Sequence, residues 1–181
     1  MNVLIGDIGN TITKICVIEI DTFKVKKIIY FDSAEISSKN LLRKNLKKIF
    51  KNKIIYKVAL FSSVVPRYQL ILERFLKKIY KIKLREIKEK SIKKIVKINI
   101  KNKRQVGSDR IANAVGVYRS YKLNCIVLDF GTATTFDVIV KDQYLGGVIS
   151  PGVNLSLNSL SSKASLIPII NLSKISSVIG K

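Results

Sequence analysis

Apolar and β-branched residues crowd the first thirty positions. Val3-Leu4-Ile5 leads into a β-branched stretch over 11–20, and Phe23-Lys24-Val25-Lys26-Lys27-Ile28-Ile29-Tyr30 continues in the same style. Such runs between turn residues predict three strands over residues 2–31, with Asp21-Thr22 turning between the second and third. The period then changes. Leu41, Leu42, Asn45, Leu46, Ile49 and Phe50 recur at helical spacing, which predicts an amphipathic helix over 37–52 capped by Ser37 or Ser38. Residues 58–64 predict a buried strand running into Pro66, and proline suits the first turn of a following helix. Leu70, Ile71, Phe75, Leu76 and Ile79 form the expected inner face of that helix. Residues 82–104 are lysine-rich; a short strand near 95–100 is expected, and the stretch is the candidate connection between lobes. A helix over 109–121 should turn Ile111, Ala114, Val115 and Tyr118 inward, with Ala112, Ala114 and Gly116 allowing close packing. Cys125-Ile126-Val127-Leu128 and Val138-Ile139-Val140 flank a tight turn. A strand over 144–149 and a helix over 154–162 follow, punctuated by Gly146-Gly147 and Pro151-Gly152. Residues 163–181 carry no strong period.

Two of the predicted strand-to-strand turns share a composition. The first reads Asp7-Ile8-Gly9-Asn10-Thr11-Ile12-Thr13 and the second Asp129-Phe130-Gly131-Thr132-Ala133-Thr134-Thr135. A glycine at a hairpin tip lets backbone approach an anion with no Cβ in the way. Backbone N–H groups with Thr and Asn side chains then donate to phosphate oxygens. The aspartate repels phosphate but can hold a cation that bridges to it. Ordinary hairpins also contain Asp-x-Gly, so either turn alone is weak; two copies in matching contexts suggest two facing lobes gripping a nucleoside triphosphate. Neither copy matches Gly-x-x-x-x-Gly-Lys-Thr or Gly-x-Gly-x-x-Gly.

Composition narrows the chemistry. The 181 residues are 47% hydrophobic, enough for a core in one domain or two small ones. No histidine is present, which removes Ser-His and Cys-His schemes. Cys16 and Cys125 lie in apolar runs and read as small buried hydrophobes. The net charge of +22 is mostly lysine interleaved with isoleucine and asparagine over 24–104. It reads as solvated surface; a nucleic-acid module would cluster arginine with stacking aromatics. No apolar run approaches the roughly 20 residues needed to span a bilayer. Nor does the N-terminus show a signal peptide's basic flank, apolar stretch and cleavage site, so a cytoplasmic location is expected.

A third element, Gly107-Ser108-Asp109-Arg110, stands ahead of a predicted helix. Asp109 there can be a cap favoured by the helix dipole. It can also be a general base for a substrate hydroxyl, with Arg110 as a bidentate grip on a substrate carboxylate. Phosphoryl transfer asks mainly for positioning and charge stabilisation, which one base, one cation and an anion cradle supply.

Taken in order, these elements resemble the type III pantothenate kinases of the acetate and sugar kinase/actin superfamily. The resemblance is carried by Asp7-Ile8-Gly9-Asn10-Thr11, Ser63-Val64-Val65-Pro66, a stretch over 106–113 containing Gly107-Ser108-Asp109-Arg110, another over 128–137 ending in Phe136-Asp137, Gly146-Gly147-Val148-Ile149-Ser150-Pro151-Gly152, and 164–168. It implies an α/β, ribonuclease H-like (actin-like ATPase) fold of two lobes, placed here at 1–105 and 106–181. It also implies ATP-dependent phosphorylation of pantothenate, the first step toward coenzyme A; the alternative is a non-catalytic relative with a regulatory or accessory role. By motif match, Asp7, Ile8, Gly9, Asn10, Thr11, Ile12, Thr13 and Lys14 would line the ATP phosphates, with Asp7 near Mg²⁺. Thr132 would also contact ATP. Gly107, Ser108, Asp109 and Arg110 would contact pantothenate, with Asp109 as catalytic base. Asp129 would hold a monovalent cation, K⁺ or NH4⁺, and the family is commonly a homodimer. Where family members show a Tyr-x-Asn-Pro-like stretch, this chain reads Ile100-Lys101-Asn102-Lys103. Family members are also normally longer, so the second lobe is expected to be incomplete at its C-terminal side.

Overall fold

The computed structural model describes residues 1–50, 58–88 and 95–169. Strands β1 (Asn2–Ile8), β2 (Ile12–Glu19) and β3 (Lys24–Asp32) form where the β-branched runs lie. They pair antiparallel, Ile5 opposite Cys16 and Ile15 opposite Ile29. β4 (Val58–Ser63) then adds to the other side of β1 in parallel, and β5 (Lys83–Glu86) adds in parallel to β4. The first sheet is therefore mixed, in the order β3-β2-β1-β4-β5.

Helix α1 (Lys39–Phe50) follows a 3-10 turn over Ser33–Ser37, and α2 (Pro66–Phe75) runs into a π-helical turn over Leu76–Tyr80. Both bury their apolar stripes with the sheet in one cluster that includes Leu4, Ile8, Phe61, Leu42, Leu46 and Leu72. Full burial of each such side chain is worth about 1.5–3 kcal/mol. The α2 stripe differs from the expected one. Leu72, Phe75 and Leu76 are buried, with Tyr68 and Ile71 packed beside them, whereas Leu70 and Ile79 are exposed. Spacing of 68, 71, 72, 75 and 76 keeps one face of a 3.6-residue helix, and Leu70 falls off that face. Leu41 is likewise exposed on α1.

The second sheet has the order β6-β9-β8-β7, from β6 (Lys97–Ile98), β7 (Cys125–Phe130), β8 (Ala133–Val140) and β9 (Gln143–Pro151). The lysine-rich stretch thus gives one strand, β5, to the first sheet and another, β6, to the second; residues 89–94 lie outside the described set. Helix α3 (Ser108–Tyr121) packs Ile111 and Ala114 into a second cluster with Val96, Val106, Ile139 and Tyr144. Val115 and Tyr118 sit partly buried against it, as the periodicity requires. Helix α4 (Val153–Lys163) follows Gly152.

The chain divides into two compact units. The first comprises Met1–Val127 with Asp137–Gly146, and the second Leu128–Phe136 with the described residues from Gly147 onward. The expected boundary at 105/106 falls inside the first unit. β7 is less buried than its apolar sequence suggests: Cys125 and Val127 pack on the second cluster, while Ile126, Leu128 and Phe130 are exposed among the described residues. Strand alternation sends these two sets to opposite faces.

Candidate active site

Within the first unit, three separated segments meet at the C-terminal ends of the parallel strands β1 and β4. Asp7 stands opposite Ser62 in the parallel ladder and opposite Lys14 in the antiparallel one. Directly paired residues project to the same sheet face, so Asp7, Lys14 and Ser62 share a side, opposite to that of the buried Ile8. A carboxylate and an ammonium therefore lie abreast at the mouth of the first turn. The far end of β4 then receives α3. Ser63 N donates to Ser108 Oγ at 2.8 Å, Ser108 Oγ donates to Ser63 O at 2.6 Å, and Ser62 Oγ donates to Ser108 Oγ at 3.3 Å. One buried hydroxyl ties the start of α3 to the strand end that flanks Asp7.

The helix start explains the order Gly-Ser-Asp-Arg. Gly107 is the N-cap, with no side-chain cap of its own. Asp109 supplies the acid in the first turn, and its Oδ1 accepts from the N–H of Arg110 at 2.9 Å. The carboxylate folds back so far that a Cβ on residue 107 would overlap Asp109 Oδ1. Glycine is what leaves that space free.

Arg110 is almost enclosed, its side chain 12% exposed against a fully buried Asp137. Its Nε donates to Asp137 Oδ1 at 2.6 Å, and Tyr144 OH donates to the same oxygen at 2.8 Å. Arg110 Nη2 is ion-paired with that oxygen at 2.6 Å, but off the hydrogen-bonding direction. Nη2 and Asp137 Oδ2 are buried without a hydrogen-bond partner among the described residues. The guanidinium carbon lies 5.8 Å from the centre of the Tyr144 ring, within cation–π range. Burial works against the charge on Arg110, but the hydrogen bond and charge of Asp137 outweigh it and raise the guanidinium above its ordinary value. Tyr144 is pushed well up by burial, then by its bond to Asp137 and that residue's charge, so it stays a donor.

The first turn is braced from behind by a residue that sequence reasoning missed. Ser33 Oγ donates to Gly9 O at 2.7 Å and lies 2.8 Å from Thr13 Oγ1, while Ser33 N donates to Thr11 O at 2.8 Å. Of the residues expected along the phosphates, Ile8 and Thr13 point into the core, and Asn10, Thr11, Ile12 and Lys14 are exposed. Ile8 O is also occupied, accepting from Val64 N at 3.1 Å.

In the second unit, the Asp129–Thr132 turn is closed by Gly131 N donating to Ala133 O at 3.0 Å and Gly152 N donating to Thr132 O at 3.1 Å. Asp129 and Thr132 are exposed. Gly152 must be glycine, because a Cβ would overlap Gly131 O and sit 2.5 Å from Thr132 O. Gly152, distant in sequence, thus supports the turn directly.

Sequence reasoning gave no role to Ser33, Ser62, Ser63, Asp137 or Tyr144. Their partners lie 7 to 46 positions away. Only Ser63 and Asp137 stood inside stretches that carried the resemblance.

The donor sets can be tested against the metals the family implies. Among the described residues no three His, Cys, Asp or Glu side chains converge on a metal position. Mg²⁺ usually needs only one or two carboxylates and completes its shell with water and phosphate oxygens, so Asp7 beside an exposed turn fits it. An exposed carboxylate at Asp129, next to turn carbonyls, is an oxygen donor set suited to a hard monovalent cation. No helix among the described residues is long and apolar enough to cross a membrane.

A family model for type III pantothenate kinase matches residues 3–181. The chain is 48% identical over 178 residues to a type III pantothenate kinase of Pelagibacter ubique, covering 98% of this chain and 70% of that protein. It is 39% identical to the type III pantothenate kinase of Desulforapulum autotrophicum, with the same two coverages. Among solved structures, the ethanolamine utilization protein EutJ from Carboxydothermus hydrogenoformans superposes with a TM-score of 0.53 at 14% identity, covering 93% of this chain and 58% of that one. A proposed sugar kinase from Cytophaga hutchinsonii superposes with a TM-score of 0.50 at 13% identity, covering 91% and 64%. At such identities these two show the fold alone, which agrees with the ribonuclease H-like expectation.

Proposed function

The chain belongs to the type III pantothenate kinase family, and from that premise we propose that it transfers the γ-phosphoryl group of ATP to pantothenate, giving 4'-phosphopantothenate in the first step of coenzyme A biosynthesis. The observation that carries this reading is the junction at β1, β4 and α3. Asp7, Lys14 and the Gly107–Arg110 segment come to one strand end through Ser62, Ser63 and Ser108.

In this reading the exposed turn after Asp7 binds the ATP phosphates with its backbone and with Asn10 and Thr11, and Lys14 offsets their charge. Asp7 would hold Mg²⁺ by way of the phosphates, and the ion would supply neutralisation of phosphate charge. Asp109 accepts the proton of the pantothenate hydroxyl as its oxygen attacks the γ-phosphorus. The bond from that phosphorus to the β–γ bridging oxygen breaks, and ADP leaves with the electron pair. Arg110 grips the pantothenate carboxylate and fixes which end of the substrate points at Asp109. By the family's motif match alone, Thr132 would contact ATP and Asp129 would hold K⁺ or NH4⁺. We assign the enzyme to the cytoplasm and expect it to act as a homodimer; the lysine excess is surface charge with no assigned nucleic-acid role.

Asp109→Asn tests the assignment. It keeps shape and a hydrogen-bond acceptor but loses the proton acceptor, so turnover should fall about 10²–10⁴-fold with ATP binding retained. Full-rate turnover by Asp109→Asn would remove the base. If the unsubstituted chain binds ATP and pantothenate yet transfers no phosphate, the non-catalytic reading takes its place.

A further inference from the structure

The Arg110–Asp137–Tyr144 group is more elaborate than a carboxylate grip requires. A surface arginine could bind pantothenate, but it would lose rotamer freedom on doing so. Here the guanidinium is anchored by the protein's own side chains. Nε and Nη2 both lie 2.6 Å from one carboxylate oxygen, and that oxygen is itself held by Tyr144 OH at 2.8 Å. Asp137 is fully buried and Tyr144 nearly so, the latter as a member of the second hydrophobic cluster, so both are held by packing. The Tyr144 ring further limits the plane the guanidinium can take.

Of the guanidinium nitrogens, Nε hydrogen-bonds to Asp137 and Nη2 does not. Arginine has five N–H donors, and the enclosed Nη2 has no hydrogen-bond partner among the described residues. The anchor therefore leaves the Nη2 donors unspent. An ion pair built only for stability would be expected to use the full bidentate fork, with each Asp137 oxygen taking one donor. Instead Asp137 Oδ2 is left without a hydrogen bond while Oδ1 is triply engaged. That asymmetry costs stability and fixes direction.

We propose that Asp137 and Tyr144 are positioning residues for substrate selection: together they orient Arg110 so that its remaining N–H donors meet the pantothenate carboxylate. The proposal rests on Arg110 being the carboxylate grip. Neither residue touches substrate. Their effect passes through the guanidinium, so it should appear for ligands with a carboxylate and vanish for ligands without one.

The test compares pantothenate with its alcohol analogue, pantothenol, in which a hydroxymethyl group replaces the carboxylate. Binding of both is measured by calorimetry on the full chain, alone and with Tyr144→Phe or Asp137→Asn. Hydrogen bonds to charged groups lead to an expected preference of the unsubstituted chain for the acid of about 10–100-fold. Tyr144→Phe keeps the ring and deletes one hydroxyl; it should weaken pantothenate about tenfold and leave pantothenol unchanged. Asp137→Asn should narrow the preference further. Should either variant lose its fold, the other carries the comparison. A purely structural role predicts that both ligands weaken together, leaving the ratio as it was, and that result overturns the inference while leaving the grip in place. No acid preference in the unsubstituted chain removes the grip itself, and the inference falls with it.

Discussion

Removing a single hydroxyl, in Ser108→Ala, should cost more than its size suggests. Ser108 is fully buried, and its Oγ serves two backbone groups of Ser63, accepting from the N–H at 2.8 Å and donating to the carbonyl at 2.6 Å. Alanine leaves a buried donor and a buried acceptor unpaired at the end of β4. Each such group costs about 1–3 kcal/mol, and the carbonyl can recover part of its loss. The expected destabilisation is about 2–4 kcal/mol, a large share of the 5–15 kcal/mol typical of a whole domain. Urea unfolding of the full chain reads this as a lower midpoint at unchanged slope. Ser156→Ala is the control. Its Oγ makes only an exposed bond of 3.5 Å to Pro151 O, and its loss should stay within about 0.5 kcal/mol. Since Asp109 and Arg110 follow Ser108 directly, kcat should also fall, through misplacement of the proposed base. If Ser108→Ala and Ser156→Ala unfold at the same urea concentration, the idea that β4 seats the start of α3 through this hydroxyl is wrong.

Ser33→Ala should cost about 1–3 kcal/mol, because Thr13 is left with a buried hydroxyl and Gly9 with an unpaired carbonyl; it should also raise the KM for ATP more than that for pantothenate, and equal changes in the two would refute the brace. Gly152→Ala forces a Cβ against Gly131 O and Thr132 O, so it should destabilise by about 1–3 kcal/mol and weaken nucleotide binding in titration calorimetry; an unperturbed variant would show that the turn yields easily. Burial pushes the Cys16 thiol up, so at pH 8 its thiolate fraction falls below the ordinary one and iodoacetamide should label Cys125 first in the native chain. By linkage, the stability Cys16 contributes is fully present below the ordinary thiol pKa. It is lost as pH rises toward the raised folded value, because the unfolded thiol ionises first. Equal labelling of the two cysteines would count against that burial.

Local patterns were legible along the chain because the forces that write them are local. Period-two and period-3.6 spacing marked β1–β4 and α1–α4, and Asp-x-Gly with threonine marked both turns, since backbone conformation there answers to adjacent residues. Where a stripe was misread, as at Leu70 on α2 and Ile79 on the π-helical turn after it, several apolar residues competed for one face and the sheet chose Leu72. What the chain alone could not express was which distant groups complete each other. Ser108 was read as a ligand contact, yet its hydroxyl is spent on Ser63, 45 positions earlier. Arg110 was read as a carboxylate grip, and nothing in its spacing showed that Asp137 on β8 and Tyr144 on β9 hold it. Gly9 takes its brace from Ser33 across β2 and β3. A serine or aspartate has no spacing signature for such a bond, because buried polar groups pair with whatever the packed sheets bring near them. Residue order thus set the elements and the turn chemistry; packing alone decided which hydroxyls and carboxylates are committed to the scaffold and which stay exposed.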